Sequence, residues 1–166
     1  MEEPENLRRA TELWQEAYRY QMAGELDRAI EHYHRSIEVY PTAEAHTFLG
    51  WFLSFQGHLE EATAECLRAI EIAPEFGNPY NDIGVYLMWQ GKLDEAIPWL
   101  EKAKEAKRYE PRQFPFMNLG RIYVKQAHWR EALREFEAAV RRFRKTSRLT
   151  RRFMPARILE LTPIGE

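Results

Sequence analysis

The chain has 166 residues, of which 45% are hydrophobic, 13% aromatic and 30% charged, with a net charge of −2. That balance belongs to a globular protein and excludes a disordered, collagenous or membrane-spanning chain, and the length fits one domain or one short array of repeats. The lone cysteine, Cys66, excludes an internal disulfide or a cysteine-rich zinc site, so the fold rests on packed apolar surface in what is expected to be a reducing compartment.

Taken in chain order, apolar residues at three- and four-residue spacing predict a helix over 6–23 and, after Gly24, a second over 26–40 that ends before Pro41. The pattern resumes over 43–56, breaks at Gly57, and continues over 59–73 to Pro74. A third pair is predicted over 77–90 and 93–108, separated by Gly91, with Pro98 expected to kink or loosen the first turns of its second helix. The fourth covers 113–126 and 129–146, and no proline closes it, which leaves its second helix open to run on past Arg144. Beyond Thr146 the tail holds Phe153, Met154, Ile158, Leu159 and Leu161, too apolar for a free linker. Pro155 is suited to open a short helix there, and the tail is expected to cover the end of the last hairpin.

The four pairs are copies of one unit. The alanines of LDRAIEHY, LEEATAEC, LDEAIPWL and WREALREF are Ala29, Ala62, Ala96 and Ala132, spaced by 33, 34 and 36 residues. The small residues Ala17, Gly50, Gly84 and Gly120 repeat the same intervals, as do Gly24, Gly57, Gly91 and Ala127. Three columns on one irregular ladder define a repeat of about 34 residues. Each unit is a helical hairpin in which a small residue on the first helix meets alanine on the second, so that two backbones approach closely. A single hairpin cannot bury its apolar face, so neighbours must stack.

Large residues flank the first small column at Leu13 and Tyr20, Leu49 and Leu53, Tyr80 and Leu87, and Phe116 and Tyr123. The second-helix columns read Tyr33, Cys66, Leu100 and Phe136, then Ser36, Ala69, Ala103 and Ala139. With these columns the chain resembles the tetratricopeptide repeat (TPR) family from about Ala10 to Arg144. It departs from the family in the third unit, which has two extra residues and its proline only at Pro111. The resemblance implies an all-α fold, a right-handed α-solenoid of four helix-turn-helix units at about 10–42, 43–76, 77–112 and 113–145, with 146–166 as a C-terminal cap.

Catalysis has little to stand on. No phosphate-binding or dinucleotide glycine fingerprint, nucleophile elbow or HExxH pattern occurs, so neither an enzyme nor a cofactor is expected. His32 and His34 diverge by about 200 degrees on a helix, which defeats shared metal ligation. Cys66 sits in a core column and reads as a small buried hydrophobe. With no signal-peptide or membrane-span stretch, a cytoplasmic location without membrane contact is expected.

What remains is surface. The family's groove positions, carried across residue by residue, are Trp14, Tyr18 and Met22; Phe48, Trp51 and Phe55; Asn81, Asp82, Val85, Met88 and Trp89; and Phe114, Met117, Asn118, Arg121 and Lys125. Helical spacing alone puts Trp14, Tyr18 and Met22 on one stripe, and Trp51 and Phe55 on another. Two readings stay open: an aromatic groove for an apolar peptide or helix of a partner protein, or aromatics that only pack on one another. The chaperone-tail clamp known in the family is excluded, because its matching positions, Trp14, Tyr18, Phe48, Asn78 and Asp82, hold no cation.

Charge is unevenly distributed. Up to Glu75 there are 15 acidic and 6 basic residues, whereas Gly120 to Arg157 holds 3 acidic and 12 basic. The basic run Arg141, Arg142, Arg144, Lys145, Arg148, Arg151, Arg152 and Arg157, interleaved with Phe143, Leu149 and Phe153, raises nucleic acid as a partner, which the overall negative charge disfavours. The alternative to a peptide-binding module is a self-assembling scaffold, in which the two ends or the groove contact a second copy.

Overall fold

The computed structural model describes the backbone of residues 4–153 and the side chains of residues 4–145. Eight helices follow in order: α1 Glu5–Met22, α2 Leu26–Val39, α3 Ala43–Phe55, α4 Leu59–Ile72, α5 Asn78–Trp89, α6 Leu93–Glu105, α7 Phe114–Lys125 and α8 Trp129–Phe153. They pair as the four expected hairpins, and the fold is all-α. The chain divides into two compact units, Met1–Glu110 and Pro111–Glu166.

Every hairpin turn uses one device. Gly24, Gly57 and Gly91 take φ of 79°, 84° and 76°, and Ala127 takes 59° at the same place in the fourth turn. In each, the next residue's N–H reaches back five residues: Glu25 to Tyr20, His58 to Leu53, Lys92 to Leu87 and His128 to Tyr123, all within 2.8–3.1 Å. This closes the first helix by satisfying a carbonyl of its last turn. The left-handed backbone suits glycine, and Ala127 holds it at a steric cost.

Within the first unit, three hairpins stack. Tyr33 of α2 packs with Leu49 and Phe52 of α3, around which Trp14, Ile30, Ile37 and Phe48 gather. Cys66 of α4 packs with Ile83 and Tyr86 of α5, joined by Ile70 and Trp99. Burial pushes the Cys66 thiol well above its usual range, as expected of a core residue. Hydrogen bonds fix the first hairpin: Ser36 Oγ donates to the carbonyl of Ala10 at 2.7 Å, and Tyr33 Oη donates to Gln21 Oε1 at 2.7 Å. The Thr42 side chain accepts from the Ala45 N–H at 3.2 Å and starts α3.

The small column sits at close helix crossings. A β-carbon on Gly50 would stand 2.9 Å from the carbonyl oxygen of Ala62 and 3.2 Å from Cys66 Sγ. Ala17 is fully buried at the matching place in α1.

Helix α6 ends at Glu105, not at the expected 108, and it runs through Pro98 without a break. The reason lies in residues 106–110, which turn back onto the connection between α4 and α5. The Gly77 N–H donates to Arg108 O at 2.8 Å and the Arg108 N–H to Glu75 O at 3.0 Å. Arg108 also lies 4.5 Å above the Phe76 ring and reaches Glu44 at 2.5 Å. Tyr109 and Ala106 are buried, and Gly77 permits their approach, since a β-carbon there would meet Tyr109 Cβ at 2.7 Å. The two extra residues of the third repeat belong to this return.

The second unit is the α7–α8 hairpin, with Phe116, Leu119, Ile122, Ala132 and Ala139 in its core. A β-carbon on Gly120 would stand 2.6 Å from Phe136 Cε1, and the Arg142 guanidinium covers the Phe116 ring at 3.8 Å. The eighth helix continues to Phe153, past the expected 146, as the missing proline allows. The expected cap, residues 154–166 and the side chains from Thr146, lies outside the described residues.

Candidate interaction surface

In the first unit, aromatic side chains of α1 and α3 form one chain of ring contacts, and α5 carries a further exposed ring. Trp14 of α1 stacks on Phe48 of α3 with ring centroids 5.1 Å apart and planes at 14°, and Tyr18 approaches the same ring at 5.3 Å. Phe48 continues to Trp51 at 6.5 Å, and Trp51 meets Phe55 edge-on at 5.0 Å. On α5, Trp89 lies 5.9 Å from the Tyr86 ring. Spacings of three and four along helices of 3.6 residues per turn produce the contacts within each helix, and the packing of α1 on α3 supplies those of Trp14 and Tyr18 with Phe48.

Burial separates two roles. Trp14, Phe48 and Trp51 are half-buried, and Phe48 joins the core through Tyr33 at 6.4 Å. By contrast Met22, Phe55 and Trp89 are 65%, 64% and 55% exposed, and Tyr18 lies beside them at the surface. Val85 and Met88 are half-buried on α5, while Asn81 is buried. The structure therefore holds both features weighed from sequence: an aromatic layer packed on itself, and apolar side chains left in water beyond it.

Asp82, from the same turn of α5, is half-buried. Removal from water pushes its carboxyl up to about 7, and the hydrogen bond from Asn81 Nδ2 at 3.4 Å only partly offsets this.

Phe114, Arg121 and Lys125 are exposed on α7, Met117 is half-buried, and Asn118 is buried, accepting from Arg121 Nη1 at 3.0 Å. Arg121 presents its charge beside that amide.

One buried polar cluster went unseen in the sequence. His46 Nδ1 of α3 lies 2.6 Å from Glu65 Oε2 of α4, and Arg68 pairs with the other oxygen of Glu65. Nineteen residues separate His46 and Glu65 and no repeat column carries either, so only the crossing of the two helices reveals the pair. Among the described residues no group of three or more His, Cys, Asp or Glu side chains is arranged to hold a metal ion. Among them, too, no helix is long and apolar enough to cross a membrane.

Two sequence-family models, both described as tetratricopeptide repeat, match this chain, one over residues 14–75 and 117–154 and the other over 80–108. The chain belongs to the tetratricopeptide repeat family. Solved structures with the same fold include MamA, with a TM-score of 0.69 and 22% identity over 84% of this chain and 81% of that one. PilF of Pseudomonas aeruginosa gives a TM-score of 0.75 and 24% identity over 81% of this chain, which spans 61% of the PilF chain. The first TPR of Spaghetti (RPAP3), bound to an HSP90 peptide, gives 0.63 and 20% identity over 72% of this chain and 94% of that one. At these identities the likeness concerns the fold alone. No curated protein matches the sequence.

Proposed function

We propose that this TPR chain is a noncatalytic, cytoplasmic protein-interaction module that binds an apolar peptide or helix of a partner protein on the first-helix face of its first unit. The observation that carries this reading is the exposure of Met22, Phe55 and Trp89 beside the half-buried layer of Trp14, Phe48 and Trp51. Large apolar side chains in water, backed by a rigid aromatic floor, are the usual anchor points of a partner site. Tyr18, Val85 and Met88 extend the face, and the net acidic charge of the first unit favours a ligand that also carries a basic group. On α7, Phe114, Met117, Arg121 and Lys125 make a smaller surface whose cations suit a carboxylate or carbonyl oxygen of the same class of partner, with the buried Asn118 beneath it holding Arg121. Nucleic acid is disfavoured by the acidic character of the first unit, and no cofactor enters this reading.

RPAP3 binds an HSP90 peptide, but that activity does not carry over, because the corresponding positions Trp14, Tyr18, Phe48, Asn78 and Asp82 offer no cation for a terminal carboxylate. The test is selection of binders from a random displayed peptide library on the intact chain. Apolar sequences, competing with one another and lost on Phe55→Ala with Trp89→Ala, support the reading; sequences indifferent to both changes contradict it.

A further inference from the structure

The last helix carries a second exposed apolar surface. Trp129, Leu133 and Val140 of α8 are 65%, 60% and 49% exposed, and their spacing of four and seven residues puts them on one stripe. Their repeat equivalents show what such a stripe does. Leu133 and Val140 fall in the columns of Ile30 and Ile37 of α2, and Val140 also in that of Ile70 of α4. In α2 and α4 those residues pack on the clusters that join each hairpin to the next, which hold Tyr33, Leu49 and Phe52 or Cys66, Ile83 and Tyr86. The stripe on α8 is thus built to hold a helical face, and the described residues leave it in water.

The flank of the stripe decides what covers it. Arg130, Arg134, Arg141 and Lys145 are exposed along α8, where Glu137, paired with Arg141 at 3.9 Å, is the one exposed acid among the described residues, and the second unit holds 13 basic against 5 acidic residues. Two such helices laid antiparallel would set arginine against arginine, a like-charge contact that disfavours a symmetric α8 pair. The first unit is the opposite, with 21 acidic and 11 basic residues, and it bears the other exposed apolar face.

We propose that α8 of one copy docks through Trp129, Leu133 and Val140 on the first-helix face of a second copy's acidic unit, a head-to-tail association of identical chains. This deepens the reading of that face as a partner site and rests on it: the apolar, basic-flanked helix it takes is the chain's own. Opposite charge steers the encounter and the apolar contact holds it, since exposed ion pairs each contribute little. The contact is heterologous, so it propagates or closes into a ring rather than stopping at a twofold dimer.

The test is sedimentation of the full chain and two variants, with helicity checked by circular dichroism. Leu133→Glu with Val140→Glu removes the α8 side, and Phe55→Ala with Trp89→Ala removes the other; all four positions are exposed, so folding is expected to survive. The parent chain should associate with rising concentration and do so at least tenfold more weakly at 0.15 M than at 0.01 M salt, as the screening length falls from about 30 Å to about 8 Å. Each variant alone should be monomeric, and their equimolar mixture should give a species of two chains, because each supplies the surface the other lacks. A monomeric parent, or a mixture that stays monomeric, overturns the proposal. So does association that appears only when residues 154–166 are removed, which would mark the stripe as covered by the chain's own end. The groove reading is judged separately: peptides selected on the parent that still depend on Phe55 and Trp89 keep it standing when self-association fails.

Discussion

Gly84 lies against Leu100, so close that a β-carbon at residue 84 would stand 2.6 Å from Leu100 Cδ2. Leu100 is fully buried and has little room to withdraw. Gly84→Leu should therefore cost about 1–3 kcal/mol through overpacking of the α5–α6 crossing, read as a lower urea midpoint at unchanged slope. A variant that unfolds like the parent would show that this crossing does not hold the third hairpin together.

The turn residues separate conformational strain from packing. Nothing lies within 4 Å of a β-carbon placed on Gly24, Gly57 or Gly91, so alanine there tests the backbone alone. Each such change should destabilise by about 1 kcal/mol, and the reciprocal Ala127→Gly should stabilise by about 0.5–1 kcal/mol, because Ala127 already holds φ of 59°. For a chain of this size that corresponds to a rise of about 1–4 °C in melting temperature. An unchanged or lower midpoint for Ala127→Gly would contradict the assigned turn.

Asp82 makes stability depend on pH in a stated direction. Its folded pKa of about 7 lies above the ordinary carboxylate value near 3.9, so the folded chain holds a proton that the unfolded chain has released between those values. Stability contributed by this group is full below about pH 4 and is lost as pH rises through 7. Asp82→Asn should therefore gain on the parent as pH goes from 5 to 8, by roughly 1–2 kcal/mol after allowing for the carboxyl's partial exposure. A difference between the two proteins that does not change with pH would contradict the assignment.

Phe48 distinguishes the packed aromatic layer from the exposed one. Its ring contacts Trp14, Tyr18 and Tyr33, so Phe48→Ala should cost about 3 kcal/mol of stability. Phe55→Ala and Trp89→Ala, at exposed positions, should stay within about 0.5–1 kcal/mol of the parent. Equal losses at all three positions would mean that the whole face is core.

The fold was largely legible because its marker columns are steric necessities. Gly50, Gly84 and Gly120 repeat since a side chain would collide with the Ala62 carbonyl, Leu100 and Phe136, and such demands leave a period in the sequence. The end of α6 was not legible, because it is set by Arg108 meeting Glu75, Phe76 and Glu44, contacts that follow from stacking rather than from local pattern. The interaction face was half legible. Spacing put Trp14, Tyr18 and Met22 on one stripe, but only the structure separates Met22, which is exposed, from Trp14, which lies under Phe48. Asn81 and Asn118 stand at groove columns in the sequence yet are buried in the fold, since a polar residue at a groove column and one beneath it look alike in sequence.

A partner held by Phe55 and Trp89 is lost when both are truncated, which isothermal titration of a library-selected apolar peptide into the parent chain and into the Phe55→Ala, Trp89→Ala double variant reads directly. The double variant should lose about 2 kcal/mol or more, roughly thirtyfold in Kd, with a melting temperature close to the parent's. Equal affinity for both proteins would place the partner surface elsewhere on the molecule.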